Sequence, residues 1–166
     1  MNLGRIVNHL VTGIWTINRR FPASTMAAIT REIRATEATH QGEIVFAVQA
    51  RLDLASISRG MHARDRAIEV FSELRIWDTE HNNGVLIYLL LADRDVEIVA
   101  DRGIHRRCGA EAWEEICRQM EAEFRADRFE AGVILGVRAI GDHLARHFPG
   151  DNTNRNELPD RPVIIR

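Results

Sequence analysis

The sequence predicts an α/β fold, with a mixed sheet carrying helices on both faces. Two observations lead there. Between Glu43 and Ala92 a strand pattern, a helix pattern and a second strand pattern follow one another, and such a unit strongly favours a right-handed parallel crossover. Asp93-Arg-Asp95 then separates the second strand from Val96–Ala100, a connection so short that these two strands must pair antiparallel. Helical patterns before and after this unit supply the two covering layers.

Leu3, Ile6, Val7, Leu10, Val11, Ile14 and Trp15 recur at steps of three and four, which predicts an opening amphipathic helix. Arg19, Arg20 and Pro22 interrupt it, and Ser24 is the expected N-cap of a second helix running to about Thr39. Glu43–Leu52 is β-branched and aromatic at its centre and reads as a buried strand. A single helix is expected from Ser56 to Leu74, and Gly84–Ala92, the most apolar run, reads as the central strand. Two further helices are predicted over Ala110–Arg125 and Phe129–His147, ended by Pro149 and Gly150. Asn152, Asn154, Asn156, Pro159 and Pro162 mark an irregular tail whose Val163-Ile-Ile165 packs back on the body. The expected organisation is an N-terminal amphipathic helix over 1–22, an α/β domain over 23–148 and the tail over 149–166.

Composition removes several function classes. All 22 basic residues are arginine, so the lysine of a phosphate-binding loop, of a pyridoxal phosphate enzyme, of an imine-forming aldolase or of a protein kinase is missing. No Gly-x-Gly-x-x-Gly loop for a dinucleotide, no Gly-x-Ser-x-Gly elbow and no Cys-x5-Arg loop occurs. A net charge of −2 offers no basic excess for nucleic acid. The Gly84–Ala92 run is far short of the roughly 20 residues that span a bilayer. Arg5 followed by Asn8 and His9 is a poor signal-peptide pattern, and cytoplasmic residence is the expectation. Cys108 and Cys117 fall on different faces of a predicted helical stretch, which leaves them unpaired.

Three stretches taken together resemble a known family. They are Glu37-Ala-Thr-His-Gln-Gly-Glu43 leading into the first strand, Trp77-Asp-Thr-Glu-His-Asn-Asn-Gly-Val-Leu-Ile-Tyr88 leading into the second, and Val96-Glu-Ile-Val-Ala-Asp-Arg-Gly-Ile104. Their order and spacing, with Phe129-Glu-Ala-Gly132 further on, are similar to the TPM domain family over roughly Ser24 to Leu144. The family is named from a thylakoid lumen protein, a photosystem II repair protein and a modulator of acetylcholine receptors. The resemblance implies a three-layer α/β/α sandwich, and plant members are described as acid phosphatases with bound calcium. The commoner family pattern has glycine-rich segments where this chain has Asp78-Thr-Glu-His81 and Ala100-Asp-Arg-Gly103. Those segments and Leu158-Pro-Asp-Arg-Pro162 resemble a short bacterial subgroup.

Strand direction locates the candidate chemistry. Two parallel strands begin, and the antiparallel third ends, at one edge of the sheet, which gathers Glu37, His40, Glu43, Asp78, Glu80, His81, Asn82, Asn83, Asp101, Arg102 and His105 there. Glu37, Glu43, Asp78, Glu80 and Asp101 are the candidate ligands for a hard cation, Ca²⁺ or Mg²⁺. Arg102, Asn82 and Asn83 are the candidate anion or substrate contacts. A solvated acidic rim accounts for the same composition. The rule that ligands bind beyond the carboxyl ends of parallel strands points instead to Arg51, Asp53, Asp93, Arg94 and Asp95.

Two functions remain in view. One is an accessory or binding module, taking a divalent cation and a protein partner or a second copy through the opening helix. The other is a metal-assisted phosphatase acting on phosphomonoesters, with Arg102 gripping the phosphate.

Overall fold

The computed structural model describes residues 3–150 and 156–166. The elements in chain order are α1 (Leu3–Val11), α2 (Ile14–Arg20), α3 (Ala23–Glu37), β1 (Glu43–Gln49), α4 (Leu54–Ser58), α5 (Ala63–Glu73), β2 (Gly84–Leu90), β3 (Asp95–Ala100), α6 (Arg102–Cys108), α7 (Ala110–Arg125), α8 (Phe129–His147) and β4 (Val163–Ile165). The sheet order is β3-β2-β1-β4. β1 runs parallel to β2 and β4, while β2 and β3 form the antiparallel hairpin.

Alternation along the strands divides the core into two layers. Ile44, Phe46, Val48, Val85, Ile87 and Leu89 pack with Ile29 and Ile33 of α3, Met120 of α7 and Val137 of α8. Val45, Ala47, Leu86, Tyr88 and Leu90 pack on the other face with Ile57 of α4 and Ala67 and Val70 of α5. Both layers explain why every residue of β1 and β2 is buried and why these strands read as continuous apolar runs. The result is a three-layer α/β/α sandwich.

Glycines account for most departures from the sequence-based expectations. The opening helix is two helices, because Gly13 is extended and caps α2 while the Thr16 N–H donates to its carbonyl at 2.9 Å. The helix expected over Ser56–Leu74 is also two, divided at Gly60 with φ 79°. α6 was not anticipated; it fills the interval after β3 and ends at Gly109, also at φ 79°. Cys108 and Cys117 therefore lie in separate helices, and both are free. α3 starts one residue before Ser24, with Pro22 at the N-cap, where its missing N–H leaves no helical bond unmade. The tail is not irregular to its end: Val163–Ile165 join the sheet as β4 beside Ala47–Gln49. Asn152 and Asn154 lie outside the described residues.

Candidate functional site

The expected shared edge exists, and its centre is a glycine. Glu43 stands opposite Gly84 in the β1–β2 register. On the other side the Asp101 N–H donates to the Gly84 carbonyl at 2.9 Å, and the Glu43 N–H donates to the Asn83 carbonyl at 3.1 Å. Glu43, Gly84 and Asp101 thus form one row across three strands, while the Asp93 turn lies at the far end. Only a glycine fits in the middle, since a Cβ on residue 84 would run into the Ile76 carbonyl. The loop before β2 crosses at that point. Two strand spacings, about 10 Å, separate the Glu43 and Asp101 backbones.

The carboxylates of this edge have different partners. The Glu43 carboxylate is 1% exposed and its Oε2 accepts from the backbone N–H groups of Glu157 and Leu158 at 3.3 Å each. Burial raises its pKa, against those two hydrogen bonds. Glu37 Oε1 accepts from the Ile44 N–H at 2.8 Å. Burial, offset in part by this bond and reinforced by Glu43 and Asp160, pushes the Glu37 carboxyl up to about 8. Asp160 is buried and accepts from Arg34 Nε and from Asn156 Nδ2, both at 2.6 Å. Glu37, Glu43 and Asp160 together seat the tail that carries β4. Arg34 and Asp160 were missed as members of this cluster, although Asp160 lies within Leu158-Pro-Asp-Arg-Pro162.

The remaining candidates spread over the rim. Asp78 is exposed and pairs with Arg75 at 2.9 Å. Glu80, His81, Asn82, Arg102 and His105 are exposed, and the Glu80 N–H donates to the Glu157 carboxylate at 3.2 Å. His40 is buried, its Nδ1 accepting from the Gly42 N–H at 3.2 Å, and burial lowers its pKa to about 4. Two buried oxygens on this edge have no protein partner: Asn83 Oδ1 and Asp101 Oδ2. The Asn83 amide donates to the Gln41 carbonyl, and Asp101 Oδ1 accepts from the Arg102 N–H at 2.6 Å. Among the described residues, no group of three His, Cys, Asp or Glu side chains is placed to hold a metal ion.

A different construction occupies the opposite end. Asp93 accepts from Arg5 Nε at 3.0 Å and from His9 Nε2 at 3.0 Å, while His9 Nδ1 accepts from the Leu52 N–H at 3.0 Å. Arg5 Nη2 also donates to the Met61 carbonyl at 2.8 Å. The polar side chains of α1 therefore face the body, with Ile6 packed beside them on the α4–α5 layer. Its apolar side chains face out, with Leu3 74% and Val11 61% exposed and Val7 and Leu10 near half, and at the start of α2 Trp15 is 59% exposed and Ile14 near half. Beside this stripe a cleft of about 1090 Å³ opens at the carboxyl ends of β1 and β4, with Arg51, Leu52, Leu54 and Ile165 on its walls. The sequence pattern located α1 and its apolar stripe, and the contacts of Arg5 and His9 with Asp93 hold that stripe outward.

Comparison with known proteins agrees with this architecture. The chain is similar to BA42 from the psychrophilic bacterium Bizionia argentinensis, with 28% identity and a TM-score of 0.76, covering 86% of this chain and 94% of that one. It shares a fold with the N-terminal domain of a protein from P. gingivalis, at 17% identity and a TM-score of 0.61, covering 75% and 76% of the two chains. No curated protein matches. The family model described as the TPM domain matches residues 19–143, from the end of α2 to within α8. The chain belongs to the TPM domain family.

Proposed function

We propose that this TPM domain acts as an accessory binding module that docks a partner protein through α1 and the start of α2. The observation that carries this reading is the inverted orientation of α1, whose polar residues Arg5 and His9 are spent on Asp93 while its apolar stripe faces solvent. Apolar area of this extent on a folded surface marks an interaction site. The stripe also lies before residue 19, outside the part of the chain that matches the family model. Among the described residues no helix is long and apolar enough to cross a membrane. A photo-crosslinking residue at Val11, in cells making the chain, is expected to trap an adduct that the same residue at exposed Arg118 does not. Equal, background labelling at both positions would remove this reading.

A second reading keeps the cation and the phosphomonoester. It is favoured by Asp101 Oδ2 and Asn83 Oδ1, since a buried oxygen without a donor is satisfied by water or by a hard cation. In this reading Arg102, exposed beside Asp101, grips the phosphate. Asp78 and Glu43 would have to leave their present partners and Glu80 to turn inward from the exposed rim to complete the ligand set, and Glu37 would have to lose its proton.

A further inference from the structure

The α1–α2 stripe says more about its occupant than that it is apolar. Leu3, Val7, Leu10 and Val11 follow helical spacing along α1 and are exposed, as are Ile14 and Trp15 at the start of α2, while Leu10, Ile14 and Leu54 line one cleft. From Ile6 to Asn18 the chain has no Asp, Glu, Lys or Arg. The stripe itself thus offers little for a charged partner to complement, whereas two copies of it meet without repulsion; charged groups such as Arg51 and Asp53 lie in the cleft beside it. A lipid surface is a poorer match. Helices that lie in a bilayer interface present several basic side chains along the polar face, and here Arg5 is bound to Asp93 and Arg20 pairs with Asp127 and stacks 4.4 Å from the Phe129 ring centroid, leaving Arg19 as the exposed basic side chain of the two helices.

Size and shape agree with self-association. A standard interface takes about 800 Å² from each partner, and six large side chains exposed by about half or more, with Leu54, approach that area. α1 and α2 follow one another with only Thr12 and Gly13 between them, so their exposed apolar residues are close neighbours in the chain. Two copies of such a helix face pair about a twofold axis, the commonest symmetry of oligomers. Resting on the docking role proposed above, we infer that the partner is a second copy of this chain, joined through an isologous contact centred on Val7, Leu10 and Val11. In such a pair the partner's helices also border the cleft beside Leu10 and Ile14, which line it in each copy.

The test uses the full purified chain in sedimentation velocity over about 1 to 100 µM, a range that brackets ordinary dimer affinities. The expected result is a species of twice the 18.9 kDa chain mass that dissociates on dilution. Val7→Asp, and independently Val11→Asp, are expected to give monomers with unchanged circular dichroism and, at the dilute end of the range where the parent is also monomeric, a thermal midpoint close to the parent's, because both side chains are exposed by about half or more. A dimer that survives both substitutions overturns the inference, since its interface would lie elsewhere. A monomer at every concentration also overturns it, as does a monomer that co-sediments with vesicles of anionic phospholipid. If a monomer nevertheless gives a Val11 adduct with a different protein in cells, the docking role stands and only the second copy falls. Without that adduct both fall.

Discussion

His9 and Asp93 meet at 3.0 Å through Nε2 and Oδ1, and the same imidazole accepts the Leu52 N–H on Nδ1. That second bond fixes the tautomer, so the ring donates to Asp93 while neutral. One carboxylate in the β2–β3 turn therefore holds α1 through both His9 and Arg5.

Asp93→Ala is expected to release α1. Loss of a partly buried acceptor serving two donors costs about 2 kcal/mol, read as a lower urea midpoint. Amide hydrogen exchange should accelerate over Leu3–Val11 and stay unchanged over β2. Unaltered exchange in α1 would show that other contacts hold the helix.

pH acts on the tail clamp with a defined sign. The Glu37 carboxyl, raised to about 8 from 4.5, keeps a proton that the unfolded chain has lost between those values. Its contribution is complete below pH 4.5 and is lost as pH rises through about 8. His40, lowered to about 4 from 6.5, acts in the opposite direction, contributing above 6.5 and losing that contribution as pH falls towards 4. Glu37→Gln retains an acceptor for the Ile44 N–H and a donor for Asp160, so it should flatten the alkaline decline of the urea midpoint and leave the acid limb alone. A variant whose profile parallels the parent's would place the alkaline sensitivity elsewhere.

Gly84→Ala puts a methyl group against the backbone of Ile76, which cannot turn away as a side chain could. The expected cost is about 3 kcal/mol, at the upper end for overpacking, with disordering of the loop before β2. Gly136→Ala meets only the flexible Met120 side chain and should cost less. Comparing the two thermal midpoints checks this; equal losses would mean that the loop yields easily.

The phosphatase reading has its own measurement. If Asp101 Oδ2 and Asn83 Oδ1 receive a cation, Ca²⁺ or Mg²⁺ raises the thermal midpoint of the parent and not that of Asp101→Asn. Cation-dependent hydrolysis of a phosphomonoester should then fall with Asp101→Asn and persist in Asp93→Ala. No thermal shift and no hydrolysis in the parent would end that reading.

Periodicity made the strands and the long helices legible, because buried β1 and β2 are continuous apolar runs and α7 and α8 repeat at helical spacing. Strand direction made the shared edge legible as well. The sequence did not disclose which carboxylates were already occupied: the partners of Glu43 are backbone N–H groups of Glu157 and Leu158, over a hundred residues away. The direction of α1 was hidden for a related reason. Apolar spacing marks a stripe without saying which way it faces, and the deciding contacts, Arg5 and His9 to Asp93, join distant parts of the chain. Gly13 and Gly60 divided two predicted helices because one glycine within a periodic run does little to the pattern.

The outward-facing stripe is the central claim, and Trp15 reports on it most directly. Subtracting the fluorescence of Trp15→Phe from that of the parent isolates this one indole from Trp77 and Trp113. In dilute solution the Trp15 signal should be open to an aqueous quencher, and it should become shielded as concentration rises, a shift absent in Val7→Asp. A Trp15 signal shielded at every dilution, and equally so in Val7→Asp, would mean that the helices bury their apolar face on their own body, contradicting the account.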